Sequence, residues 1–369
     1  MQTKTLNKSF VSPSRYVQGP DVLYDLPDYV KIYGKKAFIL IFDLGVKMFS
    51  DRLNESFNAA GVSMDMDVFR GECSRVEIKR IKSRMEETQS DVIIAIGSGK
   101  TIDTAKAVAF SSEGISCIVC PTTCSTDAPT SGLSVVYTED THEFDYYMYH
   151  GKNPHMVLVD TKVIVNAPVR FLVAGEGDAL ATYFEARACI RKGNAVAMSG
   201  GASTLTAYAL AELCYKTLLE DGLKAKIACE EKCITKSFEN ICEANTLLSG
   251  LGFESSGLAA AHAIHNGLTI IHEVHNSKLH GEVVAFGTIC QLVLENAPME
   301  EIDTVIKFCK SVGLPTCFAD LNLENPTREQ MMEVAKRACD ENDTMSNMPF
   351  NVTPEDVCSA MFVANRLGQ

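Results

Sequence analysis

A change in hydrophobic periodicity near residue 165 constrains the fold of this chain more than any other feature of its sequence. Before it, strand-like and helix-like runs alternate: an apolar run at residues 37–43 precedes an amphipathic run at 46–57, and a second such pair occupies 64–69 and 77–87. Residues 91–96 then form a short β-branched run of the kind that is buried in a parallel sheet. This alternation predicts βαβ units with right-handed crossovers.

After residue 168 the strand pattern nearly vanishes, and long amphipathic runs predict a domain made of helices. These runs cover residues 179–191, 201–219, 226–248, 256–271 and 283–296. With 369 residues, the chain is also too long for one ordinary core. We therefore predict an α/β nucleotide-binding domain with a parallel sheet at residues 1–164 and an all-α, metal-binding domain at residues 165–369.

The composition excludes several classes of function. A formal net charge of −13, with no basic stripe, argues against a nucleic-acid partner, because phosphate binding needs a concentrated positive surface. No apolar run approaches the roughly 20 residues of a membrane-spanning helix, and the N-terminal segment lacks the apolar centre of a signal peptide. We therefore expect a cytoplasmic protein without a membrane partner. The 14 cysteines, including Cys117 and Cys120 inside an apolar run, are then expected to be reduced core residues.

The stretch at residues 256–287 contains five of the eight histidines. Imidazole is the commonest protein ligand for metal ions. Three alanines before the first of these histidines favour a helix, whereas residues 276–278 before the last one are typical of a loop. A helix and a loop could hold one ion between them, and any single histidine could also be a surface or core side chain. The five are His262, His265, His272, His275 and His280.

Asp178 follows Gly175-Glu176-Gly177 at the predicted start of the first long helix after residue 168. An aspartate at that place suits an N-cap. Combined with His262 and His280, it instead gives one carboxylate and two imidazoles, which with an open fourth position is the ligand set of a catalytic zinc ion. The sequence leaves both interpretations open.

A glycine-containing turn, Gly97-Ser98-Gly99-Lys100-Thr101, directly follows the buried run at residues 91–96 and opens a predicted helix. Its glycines would let the backbone approach a diphosphate, and the helix N-terminus would offer free N–H groups and the positive end of the helix dipole. The turn matches neither the full dinucleotide pattern nor the P-loop pattern. Its position between a strand and a helix is what favours a phosphate site.

Two aspartates lie at the ends of predicted strands, where open α/β sheets bind ligands. Asp43 could accept hydrogen bonds from an adenosine ribose and repel a 2′-phosphate, which favours NAD over NADP, or it could cap the following helix. Asp127 is the only charge in the polar loop at residues 121–131, where it could contact a substrate or form an Asx-turn. A hairpin at residues 134–149 and a closing strand at 156–160 complete this predicted domain.

Six longer motifs are distributed over both predicted domains. They are GECSRVEIKRI, GSGKTIDTAKAVA, PTTCSTDAPTSGLSVVYT, GDALATYFEARAC, GLAAAHAIHNG and HGEVVAFG. In this order they resemble the glycerol dehydrogenases of the iron-containing alcohol dehydrogenase superfamily, over roughly residues 10–360.

The resemblance implies an NAD-binding domain, a helical domain and a zinc ion in the cleft between them. There glycerol or a related vicinal diol would be oxidised to a hydroxyketone, by zinc-assisted alkoxide formation and hydride transfer to NAD. The implied zinc ligands are Asp178, His262 and His280, and Asp127 matches the substrate-side aspartate. The implied NAD contacts are Asp43, Gly97, Ser98, Gly99, Lys100, Asp103, Thr122, Ser125, Ser131, Leu133 and Tyr137. The resemblance also implies a homo-oligomer.

Two positions depart from the family pattern. Ser98 replaces the middle glycine of the usual three-glycine turn. Thr182 stands one helical turn after Asp178, where the iron-type enzymes have a further histidine, and this leaves the three ligands of the zinc-type enzymes. His265, His272 and His275 match no ligand position, so we expect them to be structural.

Two other functions remain open. One is a superfamily enzyme that acts on a phosphorylated substrate, similar to glycerol-1-phosphate dehydrogenase or dehydroquinate synthase. It would need cationic residues facing the site, and residues 256–287 supply only Lys278. The other is a non-catalytic regulator that binds NAD or a metal.

Overall fold

The computed structural model describes residues 6–140 and 144–369. The first five residues of the N-terminal segment, and residues 141–143 at the tip of the predicted hairpin, lie outside this description. The chain divides into two compact units. The sheet unit comprises Ser12–Cys124 and Ala128–Ala167, and the helical unit comprises the described part of Met1–Val11 with Ser125–Asp127 and Pro168–Gln369.

Six parallel strands form the core of the sheet unit, and two further strands form an antiparallel hairpin. The strands are β1 (Arg15–Gly19), β2 (Lys36–Ile41), β3 (Ser63–Val68), β4 (Val92–Gly97), β5 (Ser116–Pro121), β6 (Leu133–Tyr137), β7 (Phe144–Tyr149) and β8 (Met156–Asp160). The parallel sheet has the order β1-β8-β5-β4-β2-β3. Every residue of β4 and β8 is buried, as expected for strands covered on both faces. The predicted parallel α/β architecture is confirmed.

The strand order reverses at β2. The chain passes from β2 outward to β3, and then crosses back to β4 on the other side of β2. Ala37 of β2 pairs with Val92 of β4, and Ile41 pairs with Ile96, so the carboxyl ends of the two strands lie side by side. Such a reversal creates a crevice at the carboxyl edge, which is where open α/β sheets bind ligands.

Five α-helices lie among the described residues of the sheet unit. They are α1 (Leu26–Tyr33), α2 (Asp43–Ala60), α3 (Arg75–Thr88), α4 (Gly99–Phe110) and α5 (Thr161–Asn166), and a 3-10 turn covers Val22–Asp25. The strand that the sequence did not predict is β1, which pairs with β8 at the sheet edge and is partly exposed along its length. Its sequence, RYVQG, contains no apolar run that could have indicated a strand.

The helical unit contains ten α-helices among its described residues. They are α6 (Val169–Lys192), α7 (Leu205–Glu230), α8 (Lys236–Glu243), α9 (Ser249–Ser256), α10 (Ala260–Leu268), α11 (His272–Ser277), α12 (His280–Leu294), α13 (Met299–Val312), α14 (Arg328–Ala338) and α15 (Pro354–Gly368). A π-helical turn covers Ala244–Leu248, and 3-10 turns cover Ala319–Leu321 and Thr344–Asn347. No helix within the described ranges is long and apolar enough to cross a membrane.

The local structure around two predicted ligands differs from expectation. Asp178 neither opens nor caps a helix, because α6 already begins at Val169. The glycines before Asp178 are interior helical positions. His280 is not in a loop, because it is the first residue of α12 and α11 precedes it.

Two predicted helix boundaries were also wrong. The predicted helix at residues 256–271 is interrupted, because Gly257 has a φ of 102°, a conformation that glycine adopts readily and other residues avoid. Conversely, α7 runs without a break through the predicted gap at residues 220–225. Gly222 lies in that gap and is a buried helical position, where a Cβ would come 2.8 Å from the Phe308 ring.

Candidate active site

Helices α6 and α12 cross at two glycines. A Cβ atom at Gly177 would overlap the carbonyl oxygen of Gly281, and one at Gly281 would overlap that of Ala174. Only residues without a Cβ let two helix backbones approach this closely. Asp178 and His280 are the direct neighbours of these glycines in sequence, so the crossing brings their side chains together.

The start of α12 is held in place by a charged network. Glu282 accepts a hydrogen bond from the Leu279 N–H at 2.7 Å. Arg170, in the first turn of α6, binds the Glu282 carboxylate through Nε at 2.6 Å. The same guanidinium donates to the Ser277 carbonyl at 2.7 Å. Charge-assisted bonds of this kind are stronger than neutral ones, and they fix the segment that leads into His280.

His262 lies on α10 and is oriented by a buried carboxylate. Helix α10 packs closely on α12, where a Cβ at Gly287 would overlap the Ala261 carbonyl. Glu185 Oε2 of α6 lies 2.6 Å from His262 Nδ1, and Glu185 Oε1 accepts from the N–H groups of Ala259 and His262 at 2.8 and 3.0 Å. An imidazole whose Nδ1–H donates to a carboxylate presents Nε2 as a free ligand atom.

Asp178, His262 and His280 form a cluster whose candidate ligand atoms all lie within 4.8 Å of one another. Asp178 Oδ1 is 3.4 Å from His262 Nε2 and 3.2 Å from His280 Nε2. These separations are close to the roughly 3.3 Å edge of a tetrahedron with the zinc bond lengths of about 2.0–2.1 Å. Asp178 Oδ2 is buried and has no hydrogen-bond partner among the described residues, which is rare unless another group binds there. The donor set therefore fits a divalent metal ion with open coordination positions.

The charges around this cluster favour a cation. Burial raises the pKa of Asp178, but His280 and His262 outweigh burial and hold this pKa well below its usual value. Burial lowers the pKa of His262, but Glu185 and Asp178 outweigh it and raise this pKa well above its usual value. Two carboxylates therefore stabilise one positive charge at this point, whether a proton or a metal ion carries it.

His265 supports the cluster from outside it. Its Nε2 lies 3.0 Å from His280 Nδ1, and its Nδ1 lies 3.0 Å from the Asn266 side-chain oxygen. Burial and the neighbouring His280 hold the pKa of His265 well below its usual value, so its imidazole is neutral. A neutral His265 can accept from His280 and donate to Asn266, which orients His280 Nε2 toward Asp178. His272 and His275 are exposed on α11.

Asp127 lies with the helical unit. Its Oδ2 accepts a hydrogen bond from Ser249 Oγ at 2.6 Å. Burial and repulsion from Asp178 raise the pKa of Asp127 well above its usual value, and the Ser249 hydrogen bond offsets part of this rise. The predicted substrate-side aspartate is therefore electrostatically coupled to the cluster, and its contact with a substrate stays a prediction.

In the sheet unit, the glycine-containing turn comprises the last residue of β4, Ser98 and the first residues of α4. A Cβ at Gly97 would overlap the Thr101 side chain, whereas one at Gly99 would meet no atom within 4 Å. Ser98 caps α4 through its carbonyl, which accepts from the Ile102 N–H at 3.1 Å, and its side chain makes no capping hydrogen bond. The first N–H groups of α4 therefore lie beside an open space, and free N–H groups at a helix N-terminus are suited to bind an anion.

Several other predicted cofactor residues surround this turn. Lys100 Nζ lies 2.6 Å from a Glu72 carboxylate oxygen and 5.0 Å from the centre of the Tyr137 ring. The Thr122 N–H donates to the Gly97 carbonyl at 3.0 Å. The structure thus brings Gly97, Lys100, Thr122 and Tyr137 together at the end of β4.

Asp43 lies at the other side of the crevice, after β2. It is exposed and pairs with Lys47 at 3.4 Å. The N-cap alternative is wrong, because Phe42 occupies that position and Asp43 is the first residue of α2. Ser125 lies in the segment that belongs to the helical unit, and Leu133 begins β6.

Asp103 and Ser131 are joined by Lys106, which was not predicted from the sequence. The fully buried Lys106 pairs with Asp103 at 2.9 Å, and its Nζ donates to the Ala128 and Ser131 carbonyls at 2.9 and 3.3 Å. Asp103 Oδ2 also accepts from the Val135 N–H of β6 at 3.0 Å. This buried ion pair fixes the loop after Asp127, and the hairpin, to α4.

Comparisons with known proteins place the chain in a family. The sequence profile described as iron-containing alcohol dehydrogenase matches residues 13–161. The glycerol dehydrogenase of Citrobacter freundii is 48% identical over 362 residues, which are 98% of this chain and 98% of that protein. The chain belongs to the glycerol dehydrogenase family of iron-containing alcohol dehydrogenases.

Two further relatives, one of them also a glycerol dehydrogenase, illustrate the range of the similarity. The crystal structure of glycerol dehydrogenase from Schizosaccharomyces pombe has a TM-score of 0.93 and 38% identity, and the match covers 98% of this chain and 91% of that one. A glycolaldehyde reductase of Halobacterium salinarum is 44% identical over 98% of this chain and 98% of its own length. Membership of this family makes the chain an oxidoreductase, which disfavours the non-catalytic alternative.

Three supporting residues of the candidate site were not predicted from the sequence: Glu185, Lys106 and Ser249. Glu185 follows Asp178 by seven residues, and Lys106 follows Asp103 by three, so each pair lies on one face of its helix. A charged residue on the same helix face as a predicted site residue is a signal that could have identified both. Ser249 has no such signal, because its partners come from other segments.

Proposed function

We propose that the chain catalyses the reversible, NAD-dependent oxidation of glycerol and related vicinal diols to hydroxyketones. The cluster of Asp178, His262 and His280 carries this proposal, because its donor set and its unpartnered carboxylate oxygen suit a catalytic metal ion. The similarity to glycerol dehydrogenases over nearly the whole chain supports glycerol as the substrate.

Two cofactors are part of the proposal. Asp178, His262 and His280 would hold zinc, which when bound supplies Lewis-acid assistance to the loss of a hydroxyl proton. NAD would bind at the crevice between β2 and β4, with its diphosphate at the Gly97–Lys100 turn, and would accept the hydride. Asp43 would bind the adenosine ribose. The other proposed NAD contacts are Asp103, Thr122, Ser125, Ser131, Leu133 and Tyr137.

The residues around the cluster would position the reacting groups. Glu185 and His265 would keep the Nε2 atoms of His262 and His280 directed at the cluster. Asp127 would accept a hydrogen bond from a substrate hydroxyl and so orient the carbon that gives up the hydride. Fixed orientation of this kind lowers the entropic part of the barrier.

One experiment tests the proposal against both alternatives. Metal analysis of the purified protein is combined with NADH formation from glycerol, 1,2-propanediol, butanediol and glycerol phosphate. We expect one zinc per chain and NADH formation from the unphosphorylated diols. Turnover of glycerol phosphate alone would favour the phosphorylated-substrate alternative, and NAD or metal binding without any turnover would favour a regulator.

We further propose that the protein is a cytoplasmic homo-oligomer. Helix α7 carries exposed apolar side chains, including Leu205, Leu213 and Ile227, and Leu205 is 82% exposed. Exposed apolar clusters are typical of protein–protein interfaces. Sedimentation analysis is expected to give a mass of more than one chain, and a monomer at micromolar concentration would contradict this proposal.

A further inference from the structure

Helices α8 and α9 are joined by a π-helical turn, which directly precedes Ser249. In the π-helical turn at Ala244–Leu248, the Ser249 N–H donates to the Ala244 carbonyl, five residues earlier. Turns of this kind are rare and are frequent at functional sites, because the additional residue changes the direction of every side chain that follows. Ser249 is the first residue after the turn, and it is fully buried.

The Ser249 hydroxyl lies between two functional segments. Its Oγ is 2.6 Å from Asp127 Oδ2 and 2.9 Å from Thr182 Oγ1. Thr182 lies on α6, one helical turn after Asp178. Helix α9 can approach α6 here because Gly252 has no Cβ, which would come 2.6 Å from the Thr182 methyl carbon. Ser249 therefore connects the helix that bears Asp178 to the segment that bears Asp127.

The chemistry of the three groups gives the hydrogen bonds a direction. In its ionised form, the Asp127 carboxylate only accepts, so Ser249 donates its single hydroxyl proton to Asp127. The contact between Thr182 and Ser249 then requires the Thr182 hydroxyl to donate to Ser249. The resulting chain occupies Asp127 Oδ2 and restricts rotation of the carboxylate about its Cβ–Cγ bond.

We propose that Thr182 and Ser249 are positioning residues that hold the Asp127 carboxylate in the orientation that binds a hydroxyl group of the polyol substrate. This inference rests on the proposed function. Thr182 lies on α6, one helical turn after Asp178. In this chain that position supports the substrate-side aspartate through Ser249, whose placement depends on the π-helical turn.

The inference predicts a specific kinetic pattern in the zinc-loaded enzyme. Ser249→Ala should raise the KM for glycerol by about tenfold, the scale of one lost hydrogen bond to a charged group, with a change in kcat below about threefold. Thr182→Val should have the same direction and a smaller size, whereas Thr182→Ser, which keeps the hydroxyl, should resemble the wild type. Bound zinc and the Tm should change little in all three variants.

A double-mutant comparison separates positioning from general stabilisation. In an Asp127→Asn background the carboxylate that Ser249 positions is gone, so Ser249→Ala should raise the KM further by less than about twofold. A merely structural role would give the same additional loss in both backgrounds. Titration calorimetry of glycerol into the zinc-loaded protein without NAD should show the same loss of affinity for Ser249→Ala.

Two results would overturn the inference, and they differ in what they imply for the proposed function. A wild-type KM for Ser249→Ala, or an equal rise in KM in the two backgrounds, would overturn the positioning role. The proposed function would still stand if the wild type oxidises glycerol. A wild type that neither binds nor oxidises glycerol would overturn both. If Ser249→Ala does not fold, Thr182→Val and its matched control Thr182→Ser carry the test in its place.

Discussion

The candidate metal cluster and the candidate phosphate turn are built in opposite ways. The cluster consists of three side chains on three helices, and Asp178 and His280 meet only because α6 and α12 cross at glycines. The phosphate turn consists of consecutive backbone groups at the end of β4 and the start of α4. The first depends on how distant helices pack, and the second depends on the conformation of one short segment.

The glycines show what this difference means. Gly177 and Gly281 are required because neighbouring backbone fills the space that a side chain would occupy. At Gly99 that space is open, so the packing of the protein does not require a glycine there. Substitution of a glycine at the helix crossing should therefore lower protein stability, whereas substitution of Gly99 should leave stability nearly unchanged.

The largest effect is expected for Gly281→Ala. The new methyl group would overlap the Ala174 carbonyl, and overpacking against a fixed backbone should outweigh the roughly 1 kcal/mol gain in helix propensity. We expect the free energy of unfolding to fall by about 2–3 kcal/mol, measured by urea titration of the metal-free protein. Because the crossing also sets the distance from Asp178 to His280, zinc affinity should fall as well. Unchanged stability together with unchanged zinc affinity would show that the crossing does not build the site.

An intermediate effect is expected for Glu185→Gln. The amide no longer offers a charged acceptor to His262 Nδ1, and loss of such an outer carboxylate typically costs about 10- to 100-fold in metal affinity. Competition with a chromogenic chelator measures this change. Glu333→Gln is the matched control, because Glu333 forms an exposed pair with Lys336 on α14 and should leave zinc affinity unchanged. Equal zinc affinities in the two variants would show that Glu185 does not support the metal site.

The smallest effect on the folded protein is expected for Gly99→Ala. No atom lies within 4 Å of the added methyl group, so the free energy of unfolding should change by less than about 0.5 kcal/mol. The methyl group would instead occupy the space proposed for the diphosphate, and NAD affinity should fall by about tenfold, measured by NADH fluorescence. Undiminished NAD affinity would place the diphosphate elsewhere.

The same difference explains what the sequence could predict. The strand and the helix between Val92 and Phe110 follow from local signals, although α4 begins at Gly99, inside the predicted turn. Next to Asp178, Gly175 and Gly177 indicated a helix start, although Gly177 lies inside α6 and allows α12 to approach. That reason lies in α12, about 100 residues away, and no local signal carries it.

Contacts within the candidate site show the same limit. The sequence and the family resemblance brought Asp178, His262 and His280 together as candidate ligands, and the structure places them side by side. The hydrogen bond from Ser249 to Asp127 was out of reach, because it joins residues far apart in the chain and depends on a π-helical turn. Backbone winding of this kind has no signature in hydrophobic periodicity.

The central claim is that Asp178, His262 and His280 bind a zinc ion. The most direct measurement is the zinc affinity of the wild type, of Asp178→Asn and of Asp43→Asn, by chelator competition with elemental analysis of the dialysed proteins. We predict one tightly bound zinc per chain in the wild type and in Asp43→Asn, and an affinity reduced by at least about 100-fold in Asp178→Asn, which loses a charged ligand. An Asp178→Asn protein that retains wild-type zinc affinity, or a wild type that binds no zinc, would contradict the claim.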